Sequence, residues 1–241
     1  MIKVFLYRIL TCNLVGRAIY YLKGKKFTRR SIFINIDRET MDYGTIARIW
    51  WGFYENAERR FVDRYILPNV DVVELGSSIG IVSSHIAAKL TTGRLICVEA
   101  NRKLISIAQR NIRSNNEKLD YRIINKAINQ EEEMVGFHVS DILTDSRVSE
   151  RSENLVEGVL LSDLLRENDI GEYQLVSDVE GAEDIIMRVE PRVFLRCKLA
   201  IVEFHPNITG DKRVKEIKEN ILNMGLTEID SRGHVSVFLR R

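Results

Sequence analysis

From Val70 onward the chain alternates short apolar runs with longer stretches whose apolar residues recur at helical spacing. The short runs VDVVELG, RLICVEA, DYRIINKAI, EYQLVSDVEG and KLAIVEFHP predict buried strands, and IGIVSSHIAAKL and RKLISIAQRNIRSNN predict helices. Strands that alternate with helices predict an α/β fold, in which helices cover both faces of a parallel sheet.

The end of the chain departs from this alternation. Two extended runs, LTEIDSRG and HVSVFLRR, are joined by a tight link, so they must pair antiparallel. Before the fourth strand, MVGFHVS predicts a strand or half of a hairpin, and SDLLREND predicts a short helix with Ser162 as its cap. The expected architecture is a mostly parallel sheet that ends in a C-terminal antiparallel hairpin.

The chain of 241 residues is 45% hydrophobic, which excludes global disorder and favours one domain with an added arm. We place the arm at residues 1–45 and the sheet domain at residues 46–241. At the start of the domain, DYGTIARIWWGFYENAERRFVDRYIL predicts one or two helices that lead into the sheet.

The arm is apolar and strongly basic. Residues 1–36 contain eight basic side chains and no acidic one, although the whole chain has a formal net charge of only +2. Arg8 and Arg17 interrupt its apolar run, which argues against a spanning helix, and no clear signal-peptide cleavage site follows. Three alternatives remain: a helix packed on the body, an interfacial helix on anionic lipid, and a nucleic-acid-binding arm.

The three cysteines are odd in number and far apart, which fits neither a disulfide framework nor paired zinc sites. We therefore expect a reducing, cytoplasmic setting, with peripheral membrane contact through the arm as an alternative. Cys97 lies in an apolar run and is expected to be a buried thiol.

The first strand leads into a glycine turn, ELGSSIG. Glu74 ends the strand, and Gly76, Ser77, Ser78 and Gly80 follow it. The turn lacks the Lys-Ser/Thr pair of a P-loop, and Ser78 occupies the second glycine position of the dinucleotide pattern. Glycines here permit close approach of a ligand at the carboxyl edge of the sheet, but the pattern disfavours pyrophosphate.

Two carboxylates indicate a different ligand. Glu74 would repel a phosphate and suits a cation, while Glu99, at the end of the second strand, is placed to accept hydrogen bonds from a ribose diol. S-adenosylmethionine combines an ammonium, a sulfonium and a ribose. The spacing therefore predicts S-adenosylmethionine as the cofactor.

These residues resemble the FkbM family of S-adenosylmethionine-dependent methyltransferases. The resemblance covers roughly residues 51–206, through GFYENAERRFVDRYILPNVDVVELGSSIGIVS, VEANRKLISIAQRNIRSNN, LSDLLRENDIGEYQLVSDVEGAEDIIM and IVEFH. It implies a Rossmann-like class I methyltransferase fold with a seven-stranded sheet. It also implies transfer of a methyl group to a hydroxyl, often one on a sugar or glycoconjugate.

The resemblance extends the cofactor site to Tyr54 and Glu55, which precede the sheet, and to Ala100 and Asn101, which follow Glu99. The chain departs from the family at two places. Its turn has Glu, Ser and Ser where the family has Asp, Ala and Asn, and Ala100 replaces a frequent proline.

Methyl transfer to a hydroxyl needs a base at the ends of the fourth and fifth strands. His205 is the first choice, because an imidazole titrates near neutral pH, and Asp178 and Glu180 are the further catalytic candidates. The other three histidines are not at metal-ligand spacing, and no metal site is predicted.

Three other functions remain open. The basic arm favours a nucleic-acid methyltransferase, although its typical catalytic motifs are absent. The unusual turn is compatible with an inactive binding protein that keeps the fold. A nicotinamide oxidoreductase is the weakest alternative, because the third glycine is missing.

Overall fold

The computed structural model describes residues 2–130, 133–138, 147–148 and 155–241. Its centre is a seven-stranded sheet. Six of the strands are parallel, and only the final strand of the chain is antiparallel to the others. In spatial order the strands are β12 Leu226–Arg232, β13 Val235–Arg240, β11 Cys197–Glu203, β10 Tyr173–Ser177, β3 Asp71–Leu75, β4 Leu95–Val98 and β5 Tyr121–Ile124. This order is the Rossmann-like methyltransferase fold, and it confirms the expected parallel sheet with its C-terminal antiparallel hairpin.

Helices connect the strands and cover both faces of the sheet. They are α1 Ile2–Leu10, α2 Asn13–Lys23, α3 Tyr43–Trp51, α4 Asn56–Tyr65, α5 Ile81–Lys89, α6 Arg102–Asn115, α7 Leu161–Glu167, α8 Glu183–Val189, α9 Pro206–Thr209 and α10 Asp211–Asn223, with a 3₁₀ helix at Pro191–Arg196. None of the helices in the described ranges is both long and apolar enough to cross a membrane.

Alternate side chains of β3 pack into two hydrophobic clusters, one on each face of the sheet. Val73 and Leu75 belong to one buried cluster, with side chains of α7, α8 and α10. Val72 belongs to the other cluster, with side chains of α4, α5 and α6. Because successive side chains of a strand face opposite sides, Glu74 lies on the same side as Val72.

A second sheet lies beside the main one. It joins β6 Ala127–Ile128, β9 Leu155–Val159, β7 Met134–His138 and β8 Arg147–Val148 in that order. β7 pairs antiparallel with both β8 and β9, which confirms the strand expected at MVGFHVS. The run DYRIINKAI divides between the two sheets, because β5 ends at Ile124 and β6 begins at Ala127.

The first 45 residues contain a hairpin that the sequence did not predict. β1 Lys26–Arg29 and β2 Ile32–Asn35 pair antiparallel, joined by Arg30 and Ser31 with φ of 47° and 67°. Such a two-residue turn usually carries Asn-Gly or a related pair, so the usual turn signal is missing here. The hairpin contributes Phe27 and Ile34 to a third core cluster, which it shares with α3, α5 and α6.

The expected cap of α7 is wrong. Leu160, not Ser162, precedes the helix. The carboxylate of Glu190 accepts hydrogen bonds from the backbone N–H groups of Leu161, at 2.7 Å, and Ser162, at 2.9 Å. A distant carboxylate therefore satisfies the helix terminus, which local sequence does not reveal.

Candidate functional site

A cavity of about 1180 Å³ opens at the carboxyl ends of the parallel strands. Gly76 and Ser78 line it from the turn after β3, Glu99 from the end of β4, Asp178 from the end of β10 and Glu203 from the end of β11. β3 lies between β4 and β10, where the strand order reverses, and this is the position at which doubly wound sheets bind ligands.

The glycine turn requires Gly76 for steric reasons. Its φ is +83°, and a Cβ atom there would lie 1.8 Å from the carbonyl oxygen of Asp178. Ser78 also has a positive φ, 48°, although it is not a glycine. This conformation directs the N–H of Ser78 to Oε2 of Glu99, at 2.6 Å.

Glu99 accepts a second backbone hydrogen bond, from the N–H of Asn101 to Oε1, at 2.7 Å. The side chain is buried but reaches the cavity. Burial raises the pKa of Glu99 to about 7, although the two N–H donors oppose this shift. One donor on each oxygen leaves acceptor capacity on both.

Glu74 differs from its expected position. It is not among the described residues that line the cavity. Because it shares the side of Val72, its Oε2 accepts hydrogen bonds from the hydroxyl of Ser83 in α5 and from the thiol of Cys97, at 3.2 Å. Cys97 is buried, as expected. Glu74 thus lies beneath the turn instead of opposite Glu99.

Three other expected cofactor residues also lie outside the described lining of the cavity: Ser77, Gly80 and Asn101. A Cβ at Gly80 would come within 2.8 Å of Cα of Ala108, so this glycine permits close packing of the turn on α6. Asn101 caps α6 by accepting the N–H of Lys103. Asn101 also contacts a residue of the cavity, because its backbone N–H donates to Glu99.

Glu55 and Tyr54 line the cavity from the segment between α3 and α4, and Ala100 lines it beside Glu99. The hydroxyl of Tyr54 lies 3.2 Å from Oγ of Ser78. Oε2 of Glu55 is buried and receives no hydrogen bond from the described residues. Burial, together with the charges of Glu58 and Asp178, raises the pKa of Glu55 well above its usual range. A buried acceptor of this kind suits a cationic ligand group.

The three catalytic candidates meet in one cluster. Nε2 of His205 lies 3.3 Å from Oδ1 of Asp178 and 3.4 Å from Oε2 of Glu180, and its Nδ1 lies 3.3 Å from Oε1 of Glu183. Burial alone would lower the pKa of His205, but its contacts with Asp178 and Glu183 outweigh burial and raise it to about 11. His205 therefore carries a proton at neutral pH, which differs from the neutral base that the sequence suggested.

Glu58 is a member of the site that the sequence analysis missed. Its side chain is buried, lines the cavity and interacts with Glu203. Burial, with the charges of Asp178 and Glu58, raises the pKa of Glu203 to about 10. The sequence did contain a pattern that identifies Glu58 as buried. Glu58 precedes Phe61 and Val62 by one helical turn, so it lies on the same buried face of α4.

One set of side chains could hold a metal ion. Ligand atoms of Asp178, Glu203 and His205 all lie within 4.8 Å of one another. An imidazolium has no lone pair to offer a metal, so a cation at this position would have to displace the proton of His205. The sequence-based expectation of no metal stays a prediction.

No family model matches the chain, and no curated protein matches its sequence. Among solved structures, a methyltransferase from Pyrococcus furiosus is 13% identical over 94% of this chain and 95% of its own, with a TM-score of 0.49. The METTL16 MTase domain is 12% identical over 95% and 79%, with a TM-score of 0.49. Aeropyrum pernix fibrillarin, a complex with natively bound S-adenosyl-L-methionine, is 14% identical over 76% and 73%, with a TM-score of 0.43.

Proposed function

We propose that this protein is an S-adenosylmethionine-dependent O-methyltransferase of the FkbM type, acting on a hydroxyl of a sugar or glycoconjugate. The position of Glu99 is the observation that carries the proposal. Its carboxylate is oriented by N–H groups of Ser78 and Asn101, and both oxygens keep acceptor capacity for the two hydroxyls of a ribose.

The remainder of the cavity fits a cationic nucleoside. Glu55, Glu58, Asp178, Glu180 and Glu203 all line it. Burial raises the pKa of Glu55, Glu58 and Glu203, and a bound ammonium or sulfonium would favour the ionised forms of these carboxyls. Oε2 of Glu55 is a buried acceptor that receives no hydrogen bond from the described residues, so we assign it to the ammonium. Gly76 leaves space where any side chain would clash.

S-adenosylmethionine supplies an electrophilic methyl group, and the chain must position an acceptor hydroxyl and receive its proton. We assign proton acceptance to Asp178, which lines the cavity at the end of β10. His205 and Glu180 act as positioning residues, because the imidazolium holds Asp178 and Glu180 at one nitrogen. This assignment replaces the base role that the sequence suggested for His205.

Calorimetry with S-adenosylmethionine and with its demethylated product tests the cofactor assignment. We expect saturable binding, which Glu99→Gln weakens about 100-fold, since it removes the charge from two hydrogen bonds. Glu117→Gln, at an exposed glutamate outside the site, is the matched control and should bind normally. Absence of heat with both ligands on folded wild-type protein would refute the proposal.

The acceptor needs a separate assay. Mass spectrometry should detect methyl transfer to sugars or glycoconjugates from a panel that also contains RNA. Methylation of RNA alone would overturn the acceptor class and leave the cofactor assignment intact.

A further inference from the structure

The first two helices expose an apolar surface that is unusual for a globular body. Among the described residues, eight large hydrophobic side chains of α1 and α2 are exposed: Val4, Phe5, Leu6, Tyr7, Ile9, Leu14, Tyr21 and Leu22. Leu14 is 77% exposed and Leu22 is 82% exposed. We call these eight residues the apolar arm surface. Exposed patches of this kind mark sites of interaction.

The second of these helices, α2, packs on the body through its other face. Gly16 of α2 is buried, and a Cβ there would lie 1.7 Å from the carbonyl oxygen of Tyr43 in α3. Ile19 belongs to the core cluster shared with the β1–β2 hairpin. The exposed side chains of α2 therefore lie on a fixed surface of the folded protein, and α1 contacts that body through the rings of Tyr7 and Phe53.

The charged side chains in the first 36 residues all have the same sign. Residues 1–36 carry eight basic side chains and no acidic one, and none of those that the structure describes forms a salt bridge with a described carboxylate. Apolar side chains bordered by cations match the interface of an anionic bilayer. The apolar side chains insert between the lipids, and the basic side chains are attracted to the anionic headgroups.

The surface also borders the entrance of the cavity. Tyr7 of α1 lines the cavity, and its ring contacts the ring of Phe53 with centroids 5.2 Å apart. Trp51, Phe53 and Arg30 line the same cavity, and all three are exposed. A bilayer in contact with α1 would thus lie beside the opening.

We propose that the apolar arm surface docks this protein on an anionic lipid bilayer, with the cavity entrance facing the lipid. Resting on the proposed function, this also assigns the acceptor to the class of lipid-borne hydroxyl compounds. Docking of a second copy on this surface would bring together two sets of basic side chains, which is unfavourable. Nucleic acid would contact the cations and leave Leu14 and Leu22 exposed.

Flotation of the full chain with phosphatidylcholine vesicles, with and without phosphatidylglycerol, tests docking without any cofactor. We expect binding only to the anionic vesicles, and we expect it to weaken as salt rises. Leu14→Gln combined with Leu22→Gln should reduce binding about tenfold or more. Leu195→Gln, at another exposed leucine away from the arm, is the matched control and should bind normally.

Tryptophan fluorescence tests the orientation. The chain has only two tryptophans, Trp50 and Trp51, and Trp51 borders the cavity. Anionic vesicles should shift their emission to the blue, and brominated lipid should quench it. Both effects should be lost in the Leu14/Leu22 double variant but kept in Leu195→Gln.

Three results would overturn the proposal: equal binding to neutral vesicles, unchanged binding of the double variant, or a wild-type dimer in light scattering that the double variant disrupts. Because flotation uses no cofactor, its outcome is independent of the calorimetry described above. Vesicle binding without cofactor binding would refute the methyltransferase assignment alone.

Discussion

The backbone N–H of Ser78 donates to Oε2 of Glu99 across 2.6 Å, and this bond joins the turn after β3 to the end of β4. Ser78 makes it in a left-handed conformation, with φ of 48°. The bond orients the carboxylate that we assign to the ribose. The geometry of the turn and the orientation of Glu99 are therefore coupled.

Two substitutions in the turn should have opposite effects. Gly76→Ala would place a methyl group against the carbonyl oxygen of Asp178, and we expect it to lower the free energy of unfolding by about 2 kcal/mol or more and to abolish cofactor binding. Ser78→Gly keeps the N–H and relieves a left-handed residue, so binding should persist with stability equal or higher by about 1 kcal/mol. Denaturant titration and calorimetry measure both; equal effects would contradict this account.

Cofactor affinity should depend on pH through Glu99. Its pKa of about 7 means that the ionised form, which accepts two ribose hydroxyls, becomes dominant as pH rises. We expect affinity to increase about tenfold between about pH 6 and about pH 8. Calorimetry across this range checks the slope, and Glu99→Gln should remove it. A slope that survives in Glu99→Gln would assign the titration to another group.

His205 should be an imidazolium at neutral pH. Its contacts with Asp178 and Glu183 raise its pKa to about 11, so its ring should stay charged well above the range in which ordinary histidines lose their proton. NMR of the ring nitrogens distinguishes the two forms, and His205→Gln identifies the signal among the four histidines. A neutral ring at pH 7 would restore His205 as the candidate base.

Asp178→Asn tests proton acceptance separately. We expect kcat to fall about 100-fold or more, with a smaller change in cofactor affinity, since Glu55 remains to hold the ammonium. Equal losses in kcat and in binding would instead make Asp178 a cofactor ligand.

Glu74 should make stability decrease as pH rises. Burial raises its pKa from 4.5 to about 7, against opposing hydrogen bonds from Ser83 and Cys97. The folded state therefore retains a proton that the unfolded state releases, and its stabilising contribution is full below about pH 4.5 and lost as pH passes 7. The loss amounts to about 3 kcal/mol.

Glu74→Gln keeps the shape of the side chain and removes its titration. Compared with wild type, the variant should gain stability steadily between about pH 5 and about pH 8, as measured by urea unfolding at each pH. Glu117→Gln should follow the wild-type curve. The same pH slope in wild type and Glu74→Gln would exclude this role.

The sequence by itself determined the alternation of strands and helices, the antiparallel final pair and the set of carboxylates near the sheet edge, because these depend on periodicity and on which residues end each strand. The predicted positions of the strand ends were therefore enough to identify Glu99, Asp178, Glu180 and His205 as candidate site residues. The arm's charge was equally visible, but its exposed face was not.

Only the tertiary structure decided which side chains share a space. The side of β3 that carries Glu74 faces α5, so this carboxyl belongs to the core. Glu58 enters the site from α4, a helix that precedes the main sheet in sequence. His205 is protonated because carboxylates that follow β10 and one from α8 surround it. The burial of a side chain and the charges around it set its pKa, and both depend on neighbouring residues that only folding brings together.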